Sequence, residues 1–225
     1  MLNKKVILIV APHADDETLG CGGIILRNIA AGAEVHWLII TSMKEEYGYT
    51  QEQVATRKNE IASAAKSYNF TQVHEIGYQP AFLDTKPKGD IIGSISKVVN
   101  SVRPEEVYTV FRNDAHSDHE VVYDAVMSAT KSFRYPFIKR VLAYETLSET
   151  DFGMKPEDGG FKPNVFVDIS GHLEQKLDIL EIFESEVREF PFPRSRIALE
   201  SLARVRGAQS NLLAAEAFML MKEVI

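Results

Sequence analysis

Two short polar runs carry the side chains in this sequence that are equipped for chemistry. The first, His13-Ala14-Asp15-Asp16-Glu17, sets one imidazole beside three carboxylates. The second, Arg112-Asn113-Asp114-Ala115-His116-Ser117-Asp118-His119, adds two imidazoles and two more carboxylates. Metal-assisted hydrolysis asks for a set of this kind: three protein ligands, an open position for a water whose pKa the ion lowers towards about 7, and a nearby base. His13, Asp16 and His119 can supply the ligands, which leaves Asp15 able to take a proton from the water. His116 can then stabilise an oxyanion or protonate a leaving nitrogen, and Asp118 is placed to hold His116 by hydrogen bond and tune its charge.

These groups work together only if the fold brings the two runs to one place. Val6 to Ala11 is an apolar, β-branched run that reads as a buried strand ending in the first cluster. Thr18 to Ala31 reads as a helix opened by Gly20, Gly22 and Gly23 and ended by Gly32, and Glu34 to Thr41 as a second strand. Strand, helix and strand with so few polar residues in the strands indicate a βαβ unit and a parallel sheet. Thr50 and Gln53 make a capping box for a helix to about Lys66. Further strands are expected at Val73 to Ile76, Val107 to Phe111, Lys139 to Glu145 and Asn164 to Ile169, with helices at Asp90 to Val102 and about Glu120 to Ser132.

The second polar cluster thus follows strand four as the first follows strand one. In an open parallel sheet the loops at the carboxyl ends of the strands line one crevice, so the separation in sequence is no obstacle. Beyond strand five, Thr146 to Pro163 reads as an irregular, mobile border of the site. Ser170 is expected to cap a helix carrying Leu173, Leu177 and Leu180; Pro191 and Pro193 break the pattern, and Ser195 to about Lys222 reads as one long closing helix. The expectation is one α/β domain over residues 1–225, with a Rossmann-like, mainly parallel sheet, helices on both faces and a carboxyl-terminal helical extension.

Composition narrows the partners. A chain of 225 residues with 45% hydrophobic and 25% charged residues has the balance of an ordinary globular protein. Its net charge of −7 argues against generic binding to nucleic acid or an anionic membrane and favours small molecules. No apolar run approaches the length of a membrane span, and Val6 to Ala11 is too short for a secretory signal. The one cysteine, Cys21, excludes an internal disulfide and suits a reducing compartment, so the cytoplasm is the expected location. A homo-oligomer stays open, because an apolar helix face serves a core or a subunit interface equally well.

Bland readings compete with the functional one. Acids before a helix are favoured by its dipole, so the first cluster alone is as readily a solvated loop; the second cluster at the matching place tips the balance. Gly20-x-Gly22-Gly23 after a first strand suggests a dinucleotide turn, yet the full Gly-x-Gly-x-x-Gly pattern is missing and the loop acids would repel a pyrophosphate. Cys21, among glycines, is read as a small packing residue. His36 alternates with strand hydrophobics, His74 and His172 lack an acidic or histidine partner at metal spacing, and all three are read as structural or exposed. Arg57 with Glu60 reads at helix spacing as a surface ion pair. A sugar- or metal-binding module without turnover is the alternative to an enzyme.

His13-Ala14-Asp15-Asp16-Glu17 together with His116-Ser117-Asp118-His119 resembles the PIG-L deacetylase family (LmbE-like proteins), zinc-dependent enzymes that remove N-acetyl groups from N-acetylglucosamine-bearing substrates. The family signature has proline where Ala14 stands. Leu19-Gly20-Cys21-Gly22-Gly23, Arg57 with Glu60, Arg206-Gly207 and Ala215-Glu216-Ala217-Phe218 extend the likeness over nearly the whole chain. The resemblance implies Zn2+ on His13, Asp16 and His119, with Asp15 as general base. It further implies that a protonated His116 stabilises the tetrahedral intermediate and that Arg57 contacts sugar hydroxyls. The implied substrate is an N-acetylated sugar or sugar conjugate, released as acetate and a free amine.

Overall fold

In the computed structural model, residues 4–153 and 159–225 are described. A seven-stranded sheet of order β3-β2-β1-β4-β5-β7-β6 forms the frame. Strands β1 (Val6–Ala11), β2 (Glu34–Thr41), β3 (Gln72–Tyr78), β4 (Glu106–Val110) and β5 (Arg140–Tyr144) pair in parallel. The βαβ pattern read from the sequence therefore holds through five strands. Sequence order reverses between β1 and β4, which lie side by side, and the loops that follow these two strands are the two polar clusters. That is the switch point at which open α/β sheets bind ligands.

Helix α1 (Asp16–Ala30) leaves the first cluster and packs close to the sheet. Its glycines permit this: a Cβ on Gly20 would lie 2.2 Å from Tyr144 Cδ2 and one on Gly23 2.5 Å from Ile169 Cγ2. The helix is interrupted at Cys21 (φ −144°, ψ 21°), so the amides beyond the break need acceptors. Glu216 supplies them, accepting from Gly23 N at 2.7 Å and Ile24 N at 2.8 Å. Lys176 Nζ, itself buried, lies 2.7 Å from the same carboxylate and donates to Leu19 O. Cys21 is fully buried in the core, as its reading as a packing residue requires.

The remaining helices are α2 (Gln51–Tyr68), α3 (Lys88–Val102), α4 (Ser117–Ala129), α5 (Leu173–Leu180) and α6 (Arg196–Ser210). Both bonds of the Thr50–Gln53 capping box are made at the start of α2. Two expectations are corrected beyond β5. Ser170 does not cap α5; its hydroxyl goes to Asp168 Oδ1 at 2.6 Å and His172 precedes the helix. The expected closing helix is α6 only as far as Ser210, where Asn211 takes a left-handed conformation (φ 59°) and the chain returns as β7 (Ala215–Glu223). Ala, Glu, Met, Leu and Lys favour a helix locally, but pairing on both sides overrides that preference: β7 runs antiparallel to β5 and to the short β6 (Val165–Asp168).

His74, read as lacking a histidine partner, is corrected by His36. The register of β2 on β3 places them on one face, with Nδ1 of His36 3.2 Å from Nε2 of His74, so each is the other's partner. Among the described residues no helix is long and apolar enough to cross a membrane.

Candidate active site

The turn after β1 is held by its own acids. His13 N donates to Asp16 Oδ2 at 2.8 Å, and Asp15 N donates to the buried Glu17 carboxylate at 3.1 Å. Ala14, where the family signature has proline, offers its carbonyl to Arg57 Nη1 at 2.6 Å. Burial pushes the Glu17 carboxyl well above the ordinary range, which suits a turn support and excludes an exposed acid.

Across the switch point, His119 on the first turn of α4 reaches the same place. His13, Asp16 and His119 present ligand atoms all within 4.8 Å of one another. His119 Nδ1 lies 2.7 Å from Asp114 Oδ2, whereas its Nε2 is buried with no hydrogen-bond partner and sits 3.4 Å from Asp16 Oδ1. A buried ring nitrogen without a donor or acceptor is costly unless something else occupies its lone pair. The group therefore fits a metal ion on two grounds: the donor types and this orphaned nitrogen.

The charges agree. Burial alone would deprotonate both imidazoles, but Asp118 and Asp16 hold His13 up at about 9, and Asp16 and Asp114 hold His119 up at about 10. Asp16 is itself buried, yet the two imidazoles keep it well below the usual carboxylate range. Carboxylates that retain protons on neighbouring rings form an equally good seat for a divalent cation. Asp15, three per cent exposed, is pushed up to about 6 by burial and by the Asp16 charge, against the pull of Arg194.

Asp118 and His116 differ from expectation. The Asp118 carboxylate lies 4.0 Å from His116 Nδ1, too far for a hydrogen bond. It bonds His13 Nε2 at 3.0 Å and accepts from Ala81 N and Leu83 N, so it braces a proposed ligand and the 81–83 turn. The contact from Asp118 to His116 is made by the backbone instead, Asp118 N donating to Nδ1 at 3.1 Å. Burial and the charge on His13 push His116 down to about 4. In the metal-free site this favours the neutral ring, which with Nδ1 accepting from Asp118 N carries its proton on Nε2.

Arg57 is no surface residue. It lines the cleft beside His13, but its guanidinium is engaged by Ala14 O, Ser185 Oγ and Glu186, with Glu60 3.2 Å from Nε. The sequence reading passed over Asp114, Glu186 and Arg194. Asp114 stood in the second cluster, five residues before His119, a visible signal. Arg194 comes from the proline-broken segment between α5 and α6, and nothing in its surroundings marks it. The described part of the expected mobile border is tied to the site: Thr150 Oγ1 donates to Asp114 and Arg194 to Ser148 and Glu149. Residues 154–158 of that border lie outside the described residues.

A cleft of about 600 Å³ opens over His13, Asp15 and His116 and runs past Met43, Tyr49 and Arg57. Its size is that of a small-molecule site.

Comparison with known proteins identifies the architecture. A model of the PIG-L family, described as GlcNAc-PI de-N-acetylase, matches residues 8–130, more than half of the chain. The chain belongs to the PIG-L family. A probable N-acetyl-alpha-D-glucosaminyl L-malate deacetylase 2 from Bacillus anthracis is 25% identical over 198 residues, 83% of each chain. The N,N'-diacetylchitobiose deacetylase from Pyrococcus horikoshii superposes with a TM-score of 0.78 at 20% identity, over 98% of this chain and 85% of that one. The 4-carboxy-2-hydroxymuconate hydratase from Pseudomonas putida KT2440 shares the fold at a TM-score of 0.74 and 18% identity, over 98% of each chain. One fold thus occurs in proteins named for more than one chemistry, and the reaction has to be argued from the site.

Proposed function

We propose that this PIG-L protein is a zinc-dependent hydrolase that removes the N-acetyl group from an N-acetylglucosamine-type sugar or sugar conjugate. The observation that carries the reading is the buried, partnerless His119 Nε2 set against Asp16 and His13, with Asp15 beside them at the floor of a cleft. Two imidazoles and one carboxylate with an open side suit Zn2+. Bound there, the ion would lower the pKa of a water and polarise the amide carbonyl.

The chain's own groups supply the rest. Asp15 takes the proton of the attacking water, and its raised pKa makes it a better base than an exposed aspartate. His116, fixed by Asp118 N, presents Nε2–H to the carbonyl oxygen as negative charge develops there. A neutral donor suffices for this and is the form that survives beside a cation. The proton held by Asp15 is then available to the leaving nitrogen. Asp118 acts through His13, and Arg57 fixes the wall against which the sugar lies. The single buried cysteine is consistent with a cytoplasmic enzyme.

The test is product analysis. Metal-loaded protein incubated with N-acetylated hexosamines and their conjugates should release acetate and the free amine, detected by mass spectrometry. Addition of water across a carbon–carbon double bond in an unsaturated acid, with no acetate from any N-acetyl sugar, would favour the chemistry of the hydratase that shares the fold.

A further inference from the structure

Arg194 reaches Asp15 from 179 residues away and is held on every side. Its Nη1 donates to Asp15 Oδ2 at 3.1 Å and to Glu186 Oε2 at 2.9 Å. Nη2 donates to Glu149 Oε1 at 3.1 Å, and Nε donates to Ser148 Oγ at 2.8 Å. Glu186 is in turn gripped by Arg57 through its other oxygen. The guanidinium is thus pinned between the loop after β5 and the segment after α5, with Arg57 of α2 behind it. A planar fork fixed at all three nitrogens has little freedom left, and whatever it holds inherits that rigidity.

What it holds is one oxygen of Asp15. The other oxygen, Oδ1, meets no donor among the described residues. Asp15 carries its charge next to Asp16, and repulsion between the two would turn the side chain away from the cleft floor. An arginine on Oδ2 opposes that rotation and leaves Oδ1 as the basic atom. Among the described residues Arg194 makes no hydrogen bond to His13, Asp16 or His119, so its direct contact is with the base and not with the ligand set.

We infer that Arg194 is a positioning residue for the general base, acting through the Asp15 carboxylate. The inference rests on the reading of Asp15 as the base. It separates two quantities that a merely structural arginine would move together. Loss of orientation lowers kcat, since a misplacement of about 1 Å can cost about 10²-fold, while KM and metal content stay where they are.

The experiment compares Arg194→Ala, Asp15→Asn and the double variant in the zinc-loaded protein, using the N-acetyl sugar that the wild type turns over. Arg194→Ala should lose about 10²-fold in kcat with KM within about threefold and an unchanged metal content, and added guanidinium ion should restore part of the rate. In the Asp15→Asn background the same change should cost nothing further, because residues acting as one unit are not additive. Arg194→Lys keeps the charge and loses the fork; it should lose about tenfold in kcat, and it carries the same test if Arg194→Ala does not fold. A loss that multiplies in the Asp15→Asn background, or one that comes with loss of metal, would overturn the inference. Full turnover in Asp15→Asn would overturn the reading of the base, and this inference with it; an inactive Asp15→Asn beside an undisturbed Arg194→Ala would overturn this inference alone.

Discussion

His119 donates from Nδ1 to Asp114 Oδ2 across 2.7 Å, and that contact decides which of its nitrogens faces Asp16. Carboxylates behind metal-binding histidines fix the tautomer and raise the basicity of the ligand. Asp114→Asn should therefore weaken zinc binding about 10- to 100-fold while leaving the fold intact. Titration against a competing chelator measures it; unchanged affinity would remove Asp114 from the support of the site.

The protons on the two imidazoles give a second prediction. His13 and His119 are held protonated up to about 9 and about 10, and both must be neutral to bind an ion. Metal entry at pH 7 should release about two protons, and affinity should climb with pH up to about 10, where both rings are neutral. Calorimetry in buffers of different ionisation enthalpy reads the number directly. The sign for stability follows from the same shifts. Both folded-state values lie above the ordinary histidine value of 6.5, so the metal-free protein has their full contribution below about 6.5 and loses it as pH rises through about 9 to 10. Thermal melts of the metal-free protein should show that decline, and zinc should abolish it.

For the base, Asp15→Asn should retain zinc and lose about 10²- to 10⁴-fold in turnover, the usual contribution of a general base. Metal analysis alongside the rate makes the distinction. Loss of zinc in this variant would mean that Asp15 is a ligand.

The buried pair behind the helix break bears on stability alone. Glu216→Ala leaves Lys176 charged and uncompensated beside two open amides of α1, a change that typically costs about 3–5 kcal/mol. Chemical denaturation should show a loss of that order. Replacing Lys176 by Met in the same protein should recover part of it, since the stranded charge is then gone.

Much of this was legible in the sequence because the chemistry is local. The apolar run of β1 and the acids at its end announce themselves within a dozen residues, and the same arrangement recurs after β4. The Thr50–Gln53 box and the five parallel strands follow from periodicity and capping residues. What escaped depends on contacts that no local pattern encodes. Ala215 to Glu223 has helical composition and becomes a strand because β5 and β6 lie ready to pair with it. Asp118 looked like the partner of His116, its near neighbour, but beginning α4 at Ser117 turns the carboxylate to His13 and the 81–83 turn. Arg194 has no signal of its own, because it meets Asp15 only through the path of the chain after α5.

The central claim is that His13, Asp16 and His119 hold the ion on which deacetylation depends. The direct measurement is zinc content and acetate release on the same samples of wild type, His13→Ala and His119→Ala, before and after chelation. About one ion per wild-type chain is expected, with acetate released only when that ion is present and both lost in the two variants. Undiminished zinc in both variants, or acetate released by fully stripped protein, would contradict it.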